Sequence, residues 1–421
     1  MPDVAIIGAG PVGCVTALSF ARRGADVLLL ESQAEPGKRL AGEWLHPPAV
    51  HVLQNLGVEA SSPEAGAPHP PGKGFVVFPD DGSSPIVLRY PGGETSLTGH
   101  HHALVAALRD TAAHHPRIEF RSAVHVHSID GQQLTFAAGS SRSAGLIVGA
   151  DGRSSFVRRC LGLDDGRVLL SHMAGVVLED ATLPYEEYGH VFLGGPGPMF
   201  VLRISPRHIR MCIDVPLAQR SRLADPEQME AGYGPALPEA LRPAFRDALQ
   251  QRPVSWAANQ WRPRLHYGRD GLALVGDAVG HFHPLTAVGM TLGFLDGHCL
   301  AQSAHLADYR RQRVDHSRVA ELLAVGLHRV FTSHDEGSVA LRQAVYRMWR
   351  QSAADRSATM KLLSGQSTQP AHFNRAFLKV AAIAVQDVLH STLRYRHWQR
   401  TARTFIDLGG WLTWLAAPRA G

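Results

Sequence analysis

Four apolar residues, Val4–Ile7, run into Gly8, and a helical pattern follows through Arg22. A second apolar run at 26–30 ends on Glu31. Short unbroken apolar runs suit strands buried on both faces, so this stretch reads as strand, glycine turn, helix, strand. Two later runs have the same character. One, at 146–148, ends in Gly149-Ala150-Asp151-Gly152, and the other, at 272–275, ends in Gly276-Asp277. Between them the pattern is strand-like over 74–90, helical over 104–113, and strand-like again at 118–120 and 124–126. Residues 172–216 are rich in β pattern, with turn signals at 194–198 and 205–206, and are predicted to build a sheet of their own. After Gly289 the chain is helical to about residue 358, and again over 373–415, with a turn predicted at Gly409-Gly410. No internal repeat is present.

The pattern predicts an α/β chain: a Rossmann-like nucleotide-binding domain with an inserted β-rich domain and a helical C-terminal region. The nucleotide-binding part is expected from residues 1–72, 101–170 and 266–310. The inserted part is expected from 73–100 and 171–265, and the helical region from 311–421.

The first turn carries Gly8-Ala9-Gly10-Pro11-Val12-Gly13. In such a turn Gly8 permits the tight bend, Gly10 lets backbone approach a pyrophosphate, and Gly13 lets helix pack on strand. The helix start then offers N–H groups to phosphate. Glu31, followed by Ser32, ends the second strand where a carboxylate meets ribose hydroxyls. This motif alone does not separate NAD from FAD. The second segment does. Asp277 at a strand end suits ribityl or ribose hydroxyls. The helix opening near Val288, with Gly289 and Met290, points its positive end at a reduced flavin ring. Together they predict FAD held between 4–31 and 272–300.

Composition narrows the alternatives. The 421 residues carry a net charge of +5 with no long basic run, which argues against nucleic acid as a partner. Four scattered cysteines and 24 histidines show no metal-ligand spacing, so no metal is expected. Ser154 and Ser155 lack the context of a nucleophile elbow. There is neither a leader pattern nor an unbroken apolar stretch of about 18 residues, so a cytoplasmic protein is expected. Trp398, Phe405, Ile406, Trp411, Leu412 and Trp414 alternate with Arg400 and Arg403. A helix packed on its own core is the preferred reading there, and an interfacial helix in contact with a membrane is the alternative.

With these motifs in order, the chain resembles the single-component FAD-dependent monooxygenases that include the aromatic hydroxylases and squalene epoxidases. The fingerprints are the glycine turn, the Asp-Gly segment Gly149-Ala150-Asp151-Gly152-Arg153-Ser154-Ser155, and Gly276-Asp277-Ala278 with Pro284. Arg39-Leu40-Ala41-Gly42-Glu43-Trp44-Leu45-His46-Pro47 and His283-Pro284-Leu285-Thr286-Ala287-Val288-Gly289-Met290-Thr291 are similar to segments of squalene epoxidases. Ala287 and Thr291 depart from the glycine and asparagine of the aromatic hydroxylases. The resemblance implies that NADPH or NADH, bound transiently, reduces FAD, and that one atom of O₂ reaches a lipophilic aromatic or polyene substrate through a flavin C4a-hydroperoxide. It also implies that Arg39, His101, the backbone of Val124, Asp151 and Gly152 contact FAD. His281, His283 and Pro284 are the candidate catalytic residues, and Trp44, His46 and Phe282 the candidate substrate contacts. A histidine there would serve a phenolic or heteroaromatic substrate as acid or base, whereas an alkene epoxidation needs none. A flavin dehydrogenase or reductase, and a non-catalytic nucleotide-binding protein, are the competing readings. A halogenase is disfavoured because no Trp-x-Trp-x-Ile-Pro segment occurs.

Overall fold

The computed structural model describes residues 1–37, 40, 44–58, 71–163, 166–395 and 398–416. Two sheets organise them. The first has six strands in the order Gly268–Arg269, Leu272–Leu274, Leu146–Gly149, Val4–Ile7, Val27–Leu30, Ile118–Arg121. All neighbours are parallel except the first pair. Val4 pairs with Leu146 on one side and Val27 on the other. The chain order therefore reverses at Val4–Ile7, which places the crevice for a ligand at the carboxyl end of that strand. Helices Pro11–Arg22 and Gly289–Gln302 pack against each other at very close range. A Cβ on Gly293 would stand 2.5 Å from Val12 Cγ2, and one on Gly297 would stand 2.2 Å from Thr16 Oγ1. The two glycines are what let the helices that open at the crevice converge there.

The second sheet has seven strands: Ser255–Trp261, Val168–Glu179, His208–Pro216, Met199–Arg203, Gly189–Phe192, Gly74–Phe78 and Ile86–Arg89. It is antiparallel except where Gly189–Phe192 runs parallel to Gly74–Phe78. One face buries Met211 and Ile213 against Tyr233 and Phe245 from helices Pro226–Tyr233 and Arg242–Gln251, and against Leu241 just before the second. The other face buries Phe75, Val191 and Leu202 against Val319, Leu341, Tyr346 and Trp349 of the C-terminal helices. Those helices span Leu306–Thr332, Glu336–Gln351, Ala353–Leu363, Pro370–Tyr395 and Trp398–Ala416.

Several expectations need revision. The strand expected at 124–126 begins at Val126 instead, because Ala123 takes a left-handed φ of 56° and the Val124 N–H turns to the Glu31 carbonyl. Helices Pro226–Tyr233 and Arg242–Gln251 and strand Ser255–Trp261 were not anticipated. Gly409-Gly410 forms no turn; helix Trp398–Ala416 runs through it. One helix, Pro370–Arg394, is long and apolar enough to cross a membrane by length and composition, against the expectation of none.

Candidate cofactor and substrate site

A cavity of about 910 Å³ lies at the carboxyl end of Val4–Ile7 and extends beneath the seven-stranded sheet. Its cofactor end follows from the glycine turn. Gly8 takes φ +102°, and a Cβ on it would lie 2.6 Å from the Ala150 carbonyl oxygen; one on Gly13 would lie 1.8 Å from the Gly8 oxygen. By contrast, nothing stands within 4 Å of a Cβ built on Gly10 or Gly289. Those two positions thus offer open backbone to a ligand, as a pyrophosphate and a flavin ring need.

Glu31 Oε2 accepts the Ala9 N–H at 2.9 Å, and its Oε1 accepts the Gln33 N–H at 3.0 Å and the Ser32 hydroxyl at 3.2 Å. Arg109, a residue the sequence reading passed over, locks this corner. Its Nε donates to the Ala9 carbonyl at 2.9 Å, and its Nη2 lies 3.1 Å from Glu31 Oε2. Arg109 Nη1 is buried, lines the cavity and has no hydrogen-bond partner among the described residues. Ser32, His101 and Val124 line the same end. Arg39 falls outside the described residues.

The Asp-Gly segment closes the other side. Asp151 Oδ2 caps the short helix Phe156–Cys160 by accepting the Phe156 N–H at 2.5 Å and the Val157 N–H at 3.2 Å. Its Oδ1 has no partner among the described residues, and burial raises its carboxyl above the usual range. Gly152 beside it takes φ +77°. Arg153 Nε donates to Asp277 Oδ2 at 3.1 Å, while Arg158 is spent on the Val279 carbonyl at 3.1 Å. Burial pushes the Asp277 carboxyl up, but Arg153, His281 and Arg264 together hold the group below its ordinary value. From behind, Arg264 donates to the Gly276 and Gly280 carbonyls at 2.9 and 2.8 Å and pairs with buried Asp296. Arg313 Nε completes that pair at 2.7 Å. The loop that presents Asp277 is therefore fixed by a buried ion triad, whose members compensate one another only together.

Beyond Asp277 the chain passes His281, Phe282 and His283 into a short turn, Pro284–Thr286. His283 is fully engaged. Its Nε2 lies 2.9 Å from Asp214 Oδ1, and its Nδ1 accepts the Leu285 N–H at 3.3 Å. The Asp214 carboxylate also accepts from Ser171 and from Asn259 Nδ2 at 3.0 Å. The His328 ring stacks on His283 with centroids 4.0 Å apart. Asp214, His283 and His328 offer ligand atoms within 4.8 Å of one another, but hydrogen bonds satisfy Asp214 without an ion. This cluster ties the seven-stranded sheet to the turn.

His46 ties the turn from the other side. It is fully buried, with Nδ1 2.6 Å from the Tyr90 hydroxyl and Nε2 2.9 Å from the Thr286 carbonyl. Since a carbonyl only accepts, Nε2 carries the proton and Nδ1 accepts from Tyr90, whose oxygen accepts the Trp44 Nε1–H at 3.0 Å. Burial pushes the ring down to about 4, so it stays neutral. His46 does not line the cavity, whereas Trp44, Phe282, His281, His283, Pro284 and Met290 do. Ala287, after the turn, adopts φ +51°, the left-handed conformation glycine would take without strain.

The apolar end of the cavity is lined by Trp44, Met173, Phe200, Leu202, Cys212 and Leu285. An open glycine turn, partnerless buried polar groups facing the cavity and an apolar far wall fit FAD at one end and a lipophilic molecule at the other.

This arrangement defines the class: an FAD-dependent monooxygenase, an enzyme acting on a lipophilic substrate by epoxidation or hydroxylation, with FAD reduced by a nicotinamide nucleotide. The squalene epoxidase family model matches residues 143–396, and an FAD dependent oxidoreductase model matches residues 3–60. The chain belongs to the squalene epoxidase family. It is 26% identical over 413 residues to squalene monooxygenase of Rattus norvegicus, covering 91% of this chain and 71% of that one. It is 28% identical over 418 residues to a squalene epoxidase of Aspergillus fumigatus, covering 91% and 86%. In fold it is similar to the flavin-dependent brominase Bmp2, at TM-score 0.74 and 19% identity over 92% of this chain and 99% of that one. It is also similar to pqsL of Pseudomonas aeruginosa, described as a probable FAD-dependent monooxygenase, at TM-score 0.64 and 18% identity over 85% and 99%.

Proposed function

We propose that this chain binds FAD along Gly8–Gly13 and Asp277 and oxygenates a lipophilic substrate held under the seven-stranded sheet. The observation that carries the reading is one continuous cavity, open at the Gly10 and Gly289 backbones and apolar at its far end. Gly8, Gly10, Pro11, Val12 and Gly13 would receive the pyrophosphate. Glu31 and Ser32 would take ribose hydroxyls, with Val124 and His101 beside them. Asp151, Gly152, Gly276 and Asp277 would meet the ribityl chain, and Pro284, Gly289 and Met290 the flavin ring. When bound, FAD takes electrons from NADPH or NADH and uses O₂ to oxygenate the substrate. The protein's part is to place the substrate, exclude water and hold the Pro284–Thr286 turn rigid between His46 and His283. The purified protein should carry a flavin spectrum that bleaches on NADPH addition and recovers in air, faster with a substrate whose product gains one oxygen atom. A protein that neither retains nor rebinds FAD would overturn the reading.

We further propose a membrane-surface contact. Seven large apolar side chains of the last two helices are exposed: Leu378, Leu389, Leu393, Trp398, Phe405, Ile406 and Leu412. Their other faces bury Phe373, Val380, Leu408 and Trp411 in the core. Helices packed on one side and apolar on the other suit an interfacial position, and a lipophilic substrate would partition into the same layer. In vesicle flotation, the full chain should rise with phosphatidylcholine liposomes. The double substitution Leu393→Asp with Ile406→Asp should leave it at the bottom. Equal sedimentation of both proteins would count against membrane contact.

A further inference from the structure

His281 differs from Arg109 and Asp151 in that the fold answers none of its side-chain polar atoms. It is 4% exposed, lines the cavity, and neither ring nitrogen has a hydrogen-bond partner among the described residues. Its backbone is pinned by exchange with Arg262, N to O at 2.9 Å one way and 3.0 Å the other, so the ring cannot turn away with its loop. His283, two residues on, has both nitrogens satisfied. Leaving a buried polar group unpaired is costly, so a partner is expected from whatever fills the cavity.

The chemistry of that partner can be read from the surroundings. Burial holds the His281 ring down to about 4; the Asp277 carboxylate and carbonyl oppose this and Arg153 and Arg262 assist it. The ring is neutral at pH 7, with one donor and one acceptor nitrogen. Both ring nitrogens therefore await a partner. A ligand O–H, which donates and accepts, can answer either nitrogen, whereas an ether oxygen only accepts and a hydrocarbon does neither. Asp277 near this ring and Asp214 in the same cavity wall make a carboxylated ligand unfavourable. Arg153 and Asn259 in the same wall are engaged with Asp277 and Asp214, and the far wall of Trp44, Met173, Phe200, Leu202 and Leu285 is apolar.

We propose that His281 recognises the substrate, and that the substrate is a lipophilic molecule with a phenolic or alcoholic O–H rather than a bare hydrocarbon. This rests on the cavity being the FAD and substrate site. A hydroxyl of FAD itself would offer the same hydrogen bond, so the test must separate the two sources. In the FAD-loaded protein, a prenylated phenol and its O-methyl ether are titrated anaerobically by perturbation of the flavin spectrum. FAD affinity is measured separately by fluorescence.

The phenol should bind about tenfold more tightly than the ether, the worth of one buried hydrogen bond whose loss strands a partner. His281→Leu should erase that ratio while FAD affinity stays within about twofold, and His281→Asn should restore part of it. Equal binding of phenol and ether to the natural protein would overturn the proposal. So would a His281→Leu variant that binds FAD about tenfold more weakly but, once saturated with FAD, keeps the ratio, which would assign the hydrogen bond to the cofactor. Oxygenation of a polyene hydrocarbon with no preference for the phenol would sink the substrate class and leave the monooxygenase standing. Failure to hold FAD would instead sink the underlying reading.

Discussion

Arg109 holds the glycine turn and Glu31 together through two bonds, to the Ala9 carbonyl and to the Glu31 carboxylate. Glu31 was legible in the sequence because its place after the second apolar strand follows from the glycine motif. Arg109 was not: it lies 100 residues from Ala9, on a helix whose periodicity says only that one side is buried. Which partner a buried arginine meets is set by how strands Val4–Ile7 and Val27–Leu30 bring that helix across the turn. Replacing it by methionine would keep much of the apolar stem and remove the charge, leaving Glu31, about 13% exposed, without its cation. Breaking a buried pair from one side costs on the order of 3 kcal/mol. Arg109→Met should lower the unfolding free energy measured in urea by that amount, with a lower urea midpoint, and weaken FAD binding by about tenfold or more. An unchanged midpoint would mean that solvent already compensates Glu31. His46 carries a related lesson. Its placement near the substrate was expected from the resemblance, yet its ring faces Tyr90 and the Thr286 carbonyl, and it acts on the cavity only through the turn it holds.

At the scale of elements, the buried strands were readable because an all-apolar run of four residues has few other uses. The helices of the middle region were hidden by Pro226, Pro235, Pro238 and Pro243, which mark the starts of helical turns here rather than breaks. The Gly409-Gly410 pair misled in the opposite direction. Two adjacent glycines favour a turn locally, but Leu408 and Trp411 on either side are buried at 7% and 1%, and that packing keeps the chain helical. Both glycines are exposed, neither has positive φ, and a Cβ on either would meet nothing within 4 Å. Each therefore costs the helix backbone entropy with no compensating contact. Gly409→Ala and Gly410→Ala should each raise stability by roughly 1 kcal/mol in urea unfolding. A loss of stability in either variant would show that the helix bends there in solution.

At the scale of the whole molecule, three buried imidazoles make folding depend on pH. Burial is the first cause in each case: His46, His190 and His281 are all pushed down to about 4. In the unfolded chain the same rings titrate near 6.5. Between these values the unfolded state binds protons that the folded state refuses, so stability rises with pH across that window. It is fully present above about 6.5 and is lost progressively as the pH falls toward 4. Asp214, whose carboxyl is held far below its usual range by His283 and His328 against the effect of burial, adds its loss only at lower pH. Two of the three rings flank the Pro284–Thr286 turn: His46 holds the Thr286 carbonyl, and His281 stands three residues before Pro284. His190 lies on strand Gly189–Phe192 of the other sheet. Protonating His46 would put two donors where Tyr90 and Thr286 fit only one, and would loosen the turn before the sheet gives way. Acidification from pH 7 toward pH 4 should therefore release FAD, seen as a rise in free-flavin fluorescence, at a pH above that at which circular dichroism reports loss of secondary structure. The urea midpoint should fall over the same interval. His46→Gln, which keeps an acceptor and a donor but cannot take up the proton, should shift FAD release to lower pH; if release and unfolding coincide in both proteins, the turn is no weaker than the sheets around it.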